Sequence, residues 1–229
     1  MLKRSKNYFK HAPSRDARKV YVVCEGVGTE PAYFSFFKGM TSNLEIIPIL
    51  PTAGTDPLKL KERAIEIFEG DSPKYILDYQ KGDMVWFVID TDTWEDEGKI
   101  DPLRSFCQKK NEKVKAEFSE LKPYSAWNVA QSNPCFEIWL YYHIYESKPS
   151  DYDITRYKRF KDYLNERISG GFDLNRDTVH LERAIDNSNK NFSLDDGKPA
   201  LFSTEVHLLG EKILDFVKSN LDKLKNKLY

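Results

Sequence analysis

The feature that most constrains the fold is a run of six apolar residues, Met84-Val85-Trp86-Phe87-Val88-Ile89, closed by Asp90-Thr91-Asp92. A short, wholly apolar run of this kind suits a strand buried on both faces, and such strands belong to parallel sheets covered by helices. Val20-Tyr21-Val22-Val23-Cys24 repeats the pattern and ends at Glu25-Gly26. Between and after these runs the chain alternates. Helix-like periodicity covers Glu30 to Lys38, with Pro31 in the first turn, and Pro57 to about Glu69. Leu44 to Leu50 reads as a strand that Pro48 pushes toward an edge. A charged helix is expected from Pro102 to Leu121, a strand from Tyr124 to Val129, and an aromatic helix from Cys135 to about Glu146, started by Ser132-Asn133-Pro134. Strand followed by helix, four times over, predicts an α/β fold with a mostly parallel sheet flanked by helices. After Ser147-Lys148-Pro149-Ser150 the strand signal stops. Helices are expected near 155–168, 178–190 and 204–227, as a helical C-terminal portion packed on the core. The expected division is thus a basic arm over 1–19, an α/β core over 20–146 and a helical portion over 147–229.

Composition narrows the class. The chain has 229 residues, enough for a sizeable core without disulfides. Its three cysteines, Cys24, Cys107 and Cys135, form no C-x-x-C pair, which predicts reduced thiols in a cytoplasmic protein and excludes a cysteine-built zinc site. No apolar stretch has the length of a membrane span, and no apolar segment follows the basic N-terminus as a secretory signal requires. The net charge of −1 gives bulk electrostatics no bias toward nucleic acid. The distribution is uneven, however. Residues 1–19 carry +6 and the rest −7. The arm reads either as a solvated tail or as a segment that touches phosphates.

The acids have a pattern. In open α/β sheets ligands bind at the carboxyl ends of the strands, and here the first strand ends in Glu25 and the third in Asp90 and Asp92. Residues i and i+2 share a strand face at roughly 6.6–6.8 Å, so both aspartates can reach one cation. With Glu25 they make three hard oxygen donors, suited to Mg²⁺ or Mn²⁺. Carboxylates 4 Å apart repel by roughly 4 kcal/mol at an effective dielectric near 20, which a divalent cation offsets. As isolated residues, the same acids would serve as helix or turn caps.

Together, Cys24-Glu25-Gly26, Thr29-Glu30-Pro31-Ala32-Tyr33-Phe34, the Trp86–Asp92 strand and Ser132-Asn133-Pro134-Cys135-Phe136-Glu137-Ile138-Trp139-Leu140 resemble the RloB-like family, a Toprim-related group of prokaryotic defence loci. The resemblance is good over about 20–145, loose over the C-terminal helices, and absent over 1–19. It implies a Toprim-like fold and Mg²⁺- or Mn²⁺-dependent cleavage of nucleic acid, RNA such as tRNA or DNA, in antiviral defence, often beside an AAA-type ATPase. Glu25 matches the Toprim glutamate, and Asp90 and Asp92 the DxD pair. Glu30 is either a ligand of a second metal or a first-turn acid favourable to the helix dipole. Ser132 and Asn133 are either helix caps or part of a phosphate-binding helix start, and Glu137 a ligand or general base. Lys190 is either a transition-state cation or an exposed lysine. Arg156, Lys158, Arg159, Lys161 and Arg167 offer a basic track for a nucleic-acid backbone. His11, His143, His180 and His207 are too scattered for a metal set, and Gly26-Val27-Gly28 is no Walker loop. The alternative is a non-catalytic adaptor or sensor, its acids serving as caps and its aromatic helix 135–146 as a surface for an ATPase. A homo-oligomer is compatible with either.

Overall fold

The computed structural model describes residues 11–52, 54–91, 94–122, 124–150 and 155–228. Asp92 and most of the basic arm (1–10) lie outside them. Four strand–helix pairs come first: β1 (Arg18–Cys24), α1 (Thr29–Ser35), β2 (Leu44–Ile49), α2 (Pro57–Glu69), β3 (Met84–Asp90), α3 (Ile100–Glu117), β4 (Trp127–Asn133) and α4 (Glu137–Tyr142). Then follow α5 (Phe160–Arg167), α6 (Leu181–Asn191), the two-residue strands β5 (Leu194–Asp195), β6 (Lys198–Pro199) and β7 (Ser203–Thr204), and α7 (Val206–Leu228). The sheet has the order β2-β1-β3-β4-β7. Its first four strands are parallel, and β7 pairs antiparallel with the end of β4.

Alternation along β1 and β3 feeds two cores. Val20, Val22, Cys24, Met84, Trp86 and Val88 face a cluster shared with α1, α4 and the C-terminal helices. Tyr21, Val23, Val85, Phe87 and Ile89 face a second cluster under α2 and α3. Both strands are buried on both sides, which is why their sequence shows no polar alternation. β2, with Pro48, is an edge strand as expected. Asp56 caps α2, accepting from the backbone N–H groups of Leu58 (3.1 Å) and Lys59 (3.3 Å), and Pro57 occupies the first turn. The parallel order places β1 beside β3 although β2 lies between them in sequence. The crevice between the carboxyl ends of β1 and β3 is therefore the topological switch point of the sheet.

Several expectations are corrected. The fourth strand runs over Trp127–Asn133, not Tyr124–Val129, so Ser132 and Asn133 are strand residues and cap no helix. Ser132 is buried, its hydroxyl 2.8 Å from that of Thr204, and Asn133 donates to the Pro199 carbonyl (2.9 Å). Both fasten β4 to the segment carrying β6 and β7. The aromatic helix is shorter than expected, and Ile138 to Tyr142 are all buried in it. The strand signal does not end at 150. The three late strands have two residues each, too few for a periodic pattern. The C-terminal helices pack on the sheet through Val206, Leu209, Ile213 and Val217 in the same cluster as β1 and β3. No helix among the described residues is long and apolar enough to cross a membrane.

Candidate metal centre at the acidic strand ends

Glu25 follows the last residue of β1, and its backbone N–H continues the ladder to the Val88 carbonyl (3.1 Å). Its carboxylate is nearly buried and is gripped at both oxygens. Oε2 accepts from the Asp90 backbone N–H (2.9 Å) and Oε1 from the Trp94 indole N–H (2.6 Å). Asp90 ends β3 and accepts the Phe136 backbone N–H on Oδ1 (2.8 Å), which ties it to the turn before α4. The Glu25 carboxylate thus reaches the backbone at the end of β3, at the switch point.

Two further carboxylates line the same corner. Glu30, in the first turn of α1, folds back to accept the Gly26 backbone N–H (3.1 Å). A Cβ on Gly26 would lie 2.3 Å from Glu30 Oε2, so the Glu-Gly dipeptide is needed for this fold-back. Burial raises the Glu30 carboxyl above its usual range. The negative charge of Glu137 adds to this, while the Gly26 N–H and the Lys161 ammonium oppose it. Glu137 opens α4 and lies 3.7 Å from Lys161 on α5. Between these acids, Cys135 has its thiol pushed far up, first by burial and then by the charges of Glu137 and Asp90. It is an inert thiol surrounded by carboxylates.

A family model described as RloB-like protein matches residues 20–213. The chain belongs to the RloB-like family. The match takes in the late strands and part of α7, so the C-terminal helices of this RloB-like chain are family structure rather than an appendage. No curated protein and no solved structure matches the chain.

Carboxylate oxygens are donors of the kind that suit a hard cation, and among the described residues no salt bridge to Glu30 is present. The described residues hold no cluster of three or more His, Cys, Asp or Glu in metal-binding arrangement, and Asp92 stands outside them. Glu25 and Asp90 are thus the brought-together part of the expected set, with Glu30 and Glu137 alongside. Ser132, enclosed in the sheet, is not open to a substrate. Lys190 lies in the last turn of α6, exposed and paired with Glu146 at 2.5 Å. Of the basic track, Lys161 reaches the acids. Arg159 pairs with Asp162 (2.9 Å), and Arg167 lies over the Tyr163 ring, 5.5 Å from its centroid.

Four residues that pattern reading passed over support the corner. Trp94 holds Glu25, with Lys99 stacked on its ring at 4.7 Å. Its only signal in the sequence is an aromatic residue inside an acidic loop. Gln131, fully buried, receives Arg104 (2.8 Å) and donates to the Thr91 hydroxyl (3.0 Å). Glu205, just before α7, bonds Arg104 (2.6 Å) and the Gln131 backbone N–H (3.0 Å). Lys198 of β6 pairs with Glu95 in the loop after Asp90. The C-terminal segment thereby holds the loop that follows β3.

Proposed function

We propose that this RloB-like chain is a metal-dependent nuclease that hydrolyses phosphodiester bonds of RNA or DNA in prokaryotic antiviral defence. The observation that supports it best is the direct link between the strand-end acids at the switch point, Glu25 Oε2 to the Asp90 backbone N–H. Glu25 and Asp90 would hold Mg²⁺ or Mn²⁺ together with Asp92, and Glu30 would extend the site toward Glu137. Bound there, the cation supplies charge neutralisation and an acidified water. The chain's own residues do the rest. The Trp94 indole and the Asp90 amide fix the direction of the Glu25 carboxylate. Phe136 N–H fixes Asp90. Glu137, at the open end of the corner, accepts a proton from the attacking water, and Lys161 beside it offers an ammonium to a non-bridging phosphate oxygen. The defence setting and an AAA-type ATPase partner are what the family resemblance implies, and co-purification with an AAA-type ATPase tests the second.

The test is cleavage of tRNA, single-stranded DNA and duplex DNA with Mg²⁺ or Mn²⁺, comparing the wild type with Glu25→Gln and Asp90→Asn. Cleavage by the wild type and its loss in both variants is the expected result. Equal cleavage by all three proteins would overturn the proposal.

A further inference from the structure

A cavity of about 730 Å³ lies away from the acidic corner, along the outer edge of β4 and the C-terminal half of α3. Its volume falls in the range of roughly 300–1,000 Å³ usual for ligand sites. Trp86, Phe118, Tyr124 and Trp127 line it, with Leu208 from α7 on the far side. What it offers a ligand follows from the register of β4. Ala126 and Ser132 turn their carbonyls to β3, accepting from Val85 (2.7 Å) and Thr91 (2.8 Å). By alternation, Trp127, Val129 and Gln131 turn their N–H and C=O outward, to the edge.

Two of these three outward pairs are taken. The Asn111 carboxamide receives the Trp127 N–H (2.9 Å) and donates to the Trp127 carbonyl (2.7 Å). Glu205 accepts the Gln131 N–H on its carboxylate (3.0 Å) and donates its own N–H to the Gln131 carbonyl (2.9 Å). Val129 between them has no such partner among the described residues, and it lines the cavity.

This arrangement selects the occupant. An added peptide strand would need all three outward pairs and would have to expel both Asn111 and Glu205. A compact planar group needs Val129 alone. Asn111 shows the required edge: an acceptor and a donor side by side in one plane. Nucleobases carry the same adjacent acceptor–donor edge on a flat ring, and the aromatic walls suit ring stacking. The exposed Lys115 and Lys122 also line the cavity, facing one carboxylate, Glu112, which already accepts from Gln108 (2.9 Å). Two cations beside a base-sized slot favour an anionic substituent. We propose that this cavity is a nucleotide-binding site, in which the base pairs with the Val129 backbone and the phosphate is met by Lys115 and Lys122. It is independent of the nuclease reading, being on the other half of β4.

The experiment is calorimetric titration of the full chain with AMP, GMP, CMP and UMP, followed in parallel by tryptophan fluorescence, since Trp86 and Trp127 line the cavity. Saturable binding of at least one mononucleotide with a change in emission is expected. Val129→Pro removes the N–H from an edge position, where proline is tolerated, and weakens binding at least about tenfold. Should Val129→Pro fail to fold, the surface pair Lys115→Ala/Lys122→Ala serves instead: it weakens the nucleotide and leaves the corresponding nucleoside unchanged. Absence of binding for all four nucleotides, or equal affinity in the variants, overturns the assignment.

Discussion

Acidification should destabilise this protein through its buried histidines, and the contribution of His143 can be worked out from its surroundings. His143 is fully buried between α1 and α4. Its Nδ1–H donates to the Trp139 carbonyl (3.0 Å), so Nε2 is the unprotonated nitrogen and accepts the Tyr33 hydroxyl (3.1 Å). Both ring positions are used by the neutral form. Burial lowers its pKa from 6.5 to about 3, with Arg183 and His180 adding to the shift and the Trp139 carbonyl and Asp177 opposing it. The unfolded chain binds a proton at this residue below pH 6.5, and the folded chain does not until about pH 3. Stability is therefore complete above pH 6.5 and falls as the pH drops through that window. The loss attributable to His143 is roughly 0.2 kcal/mol at pH 7 and about 2 kcal/mol at pH 5. The assay is urea unfolding at pH 7, 6 and 5 for the wild type and for His143→Gln, whose amide can donate to the Trp139 carbonyl and accept from Tyr33. The wild type should lose about 2 kcal/mol more than the variant between pH 7 and 5. His207, whose pKa burial also lowers, is present in both proteins and cancels. Parallel stability curves for the two proteins would refute the reasoning.

Other perturbations test the acidic corner. Trp94→Phe keeps a ring but removes the donor to Glu25 Oε1. It should cost about 1–2 kcal/mol in thermal unfolding and weaken Mn²⁺ binding measured by calorimetry. An unchanged Mn²⁺ isotherm would mean that the indole does not orient the carboxylate. Gly26→Ala places a methyl group against the flexible Glu30 carboxylate, displaces it from the Gly26 N–H and should cost about 1 kcal/mol. In a Glu30→Ala background that cost should largely disappear, and additive penalties would count against the fold-back. Ser132→Ala leaves the Thr204 hydroxyl without its buried partner and should lower stability by about 1 kcal/mol. The proposed cleavage should proceed at the wild-type rate, because Ser132 is buried within the sheet.

The parts legible in sequence are those whose signal is local and long. β1 and β3 announce themselves because strands buried on both faces have nothing but apolar residues to show, and α2 is bounded by Asp56-Pro57 before it and Gly70 after it. Glu25 and Asp90 follow from these strands, since the chemistry of an open sheet sits where such strands end. Sequence misleads where local chemistry competes with tertiary pairing. Ser132-Asn133-Pro134 has the composition of a helix start, yet Ser132 and Asn133 extend β4 because β3 and β7 pair with them there. Helix α1 also stops early. After Ser35 the chain continues in tighter turns, with Phe36 and Phe37 bonding to the carbonyls of Tyr33 and Phe34, which turns Phe37 into the core. Trp94 and Gln131 act through partners 69 and 74 residues away, separations that no window of sequence contains.

The role of β4 shows why those distant partners matter. An edge strand in a parallel sheet exposes a row of backbone groups that invites unwanted pairing. Here β7 covers only the last two residues, Ser132 and Asn133, and side chains from two different elements guard two of the three outward positions before them: Asn111 from α3 at Trp127 and Glu205 ahead of α7 at Gln131. The second guard does more than close the edge. Glu205 also binds Arg104, and Arg104 binds the Gln131 side chain that reaches Thr91, so the residue that blocks the edge also braces the loop leading away from Asp90. A substitution at Glu205 would therefore open the edge and loosen the acidic corner at once. The family match, running past β7 into α7, is what such coupling requires: the acidic motifs of the first half are held in place by residues of the second.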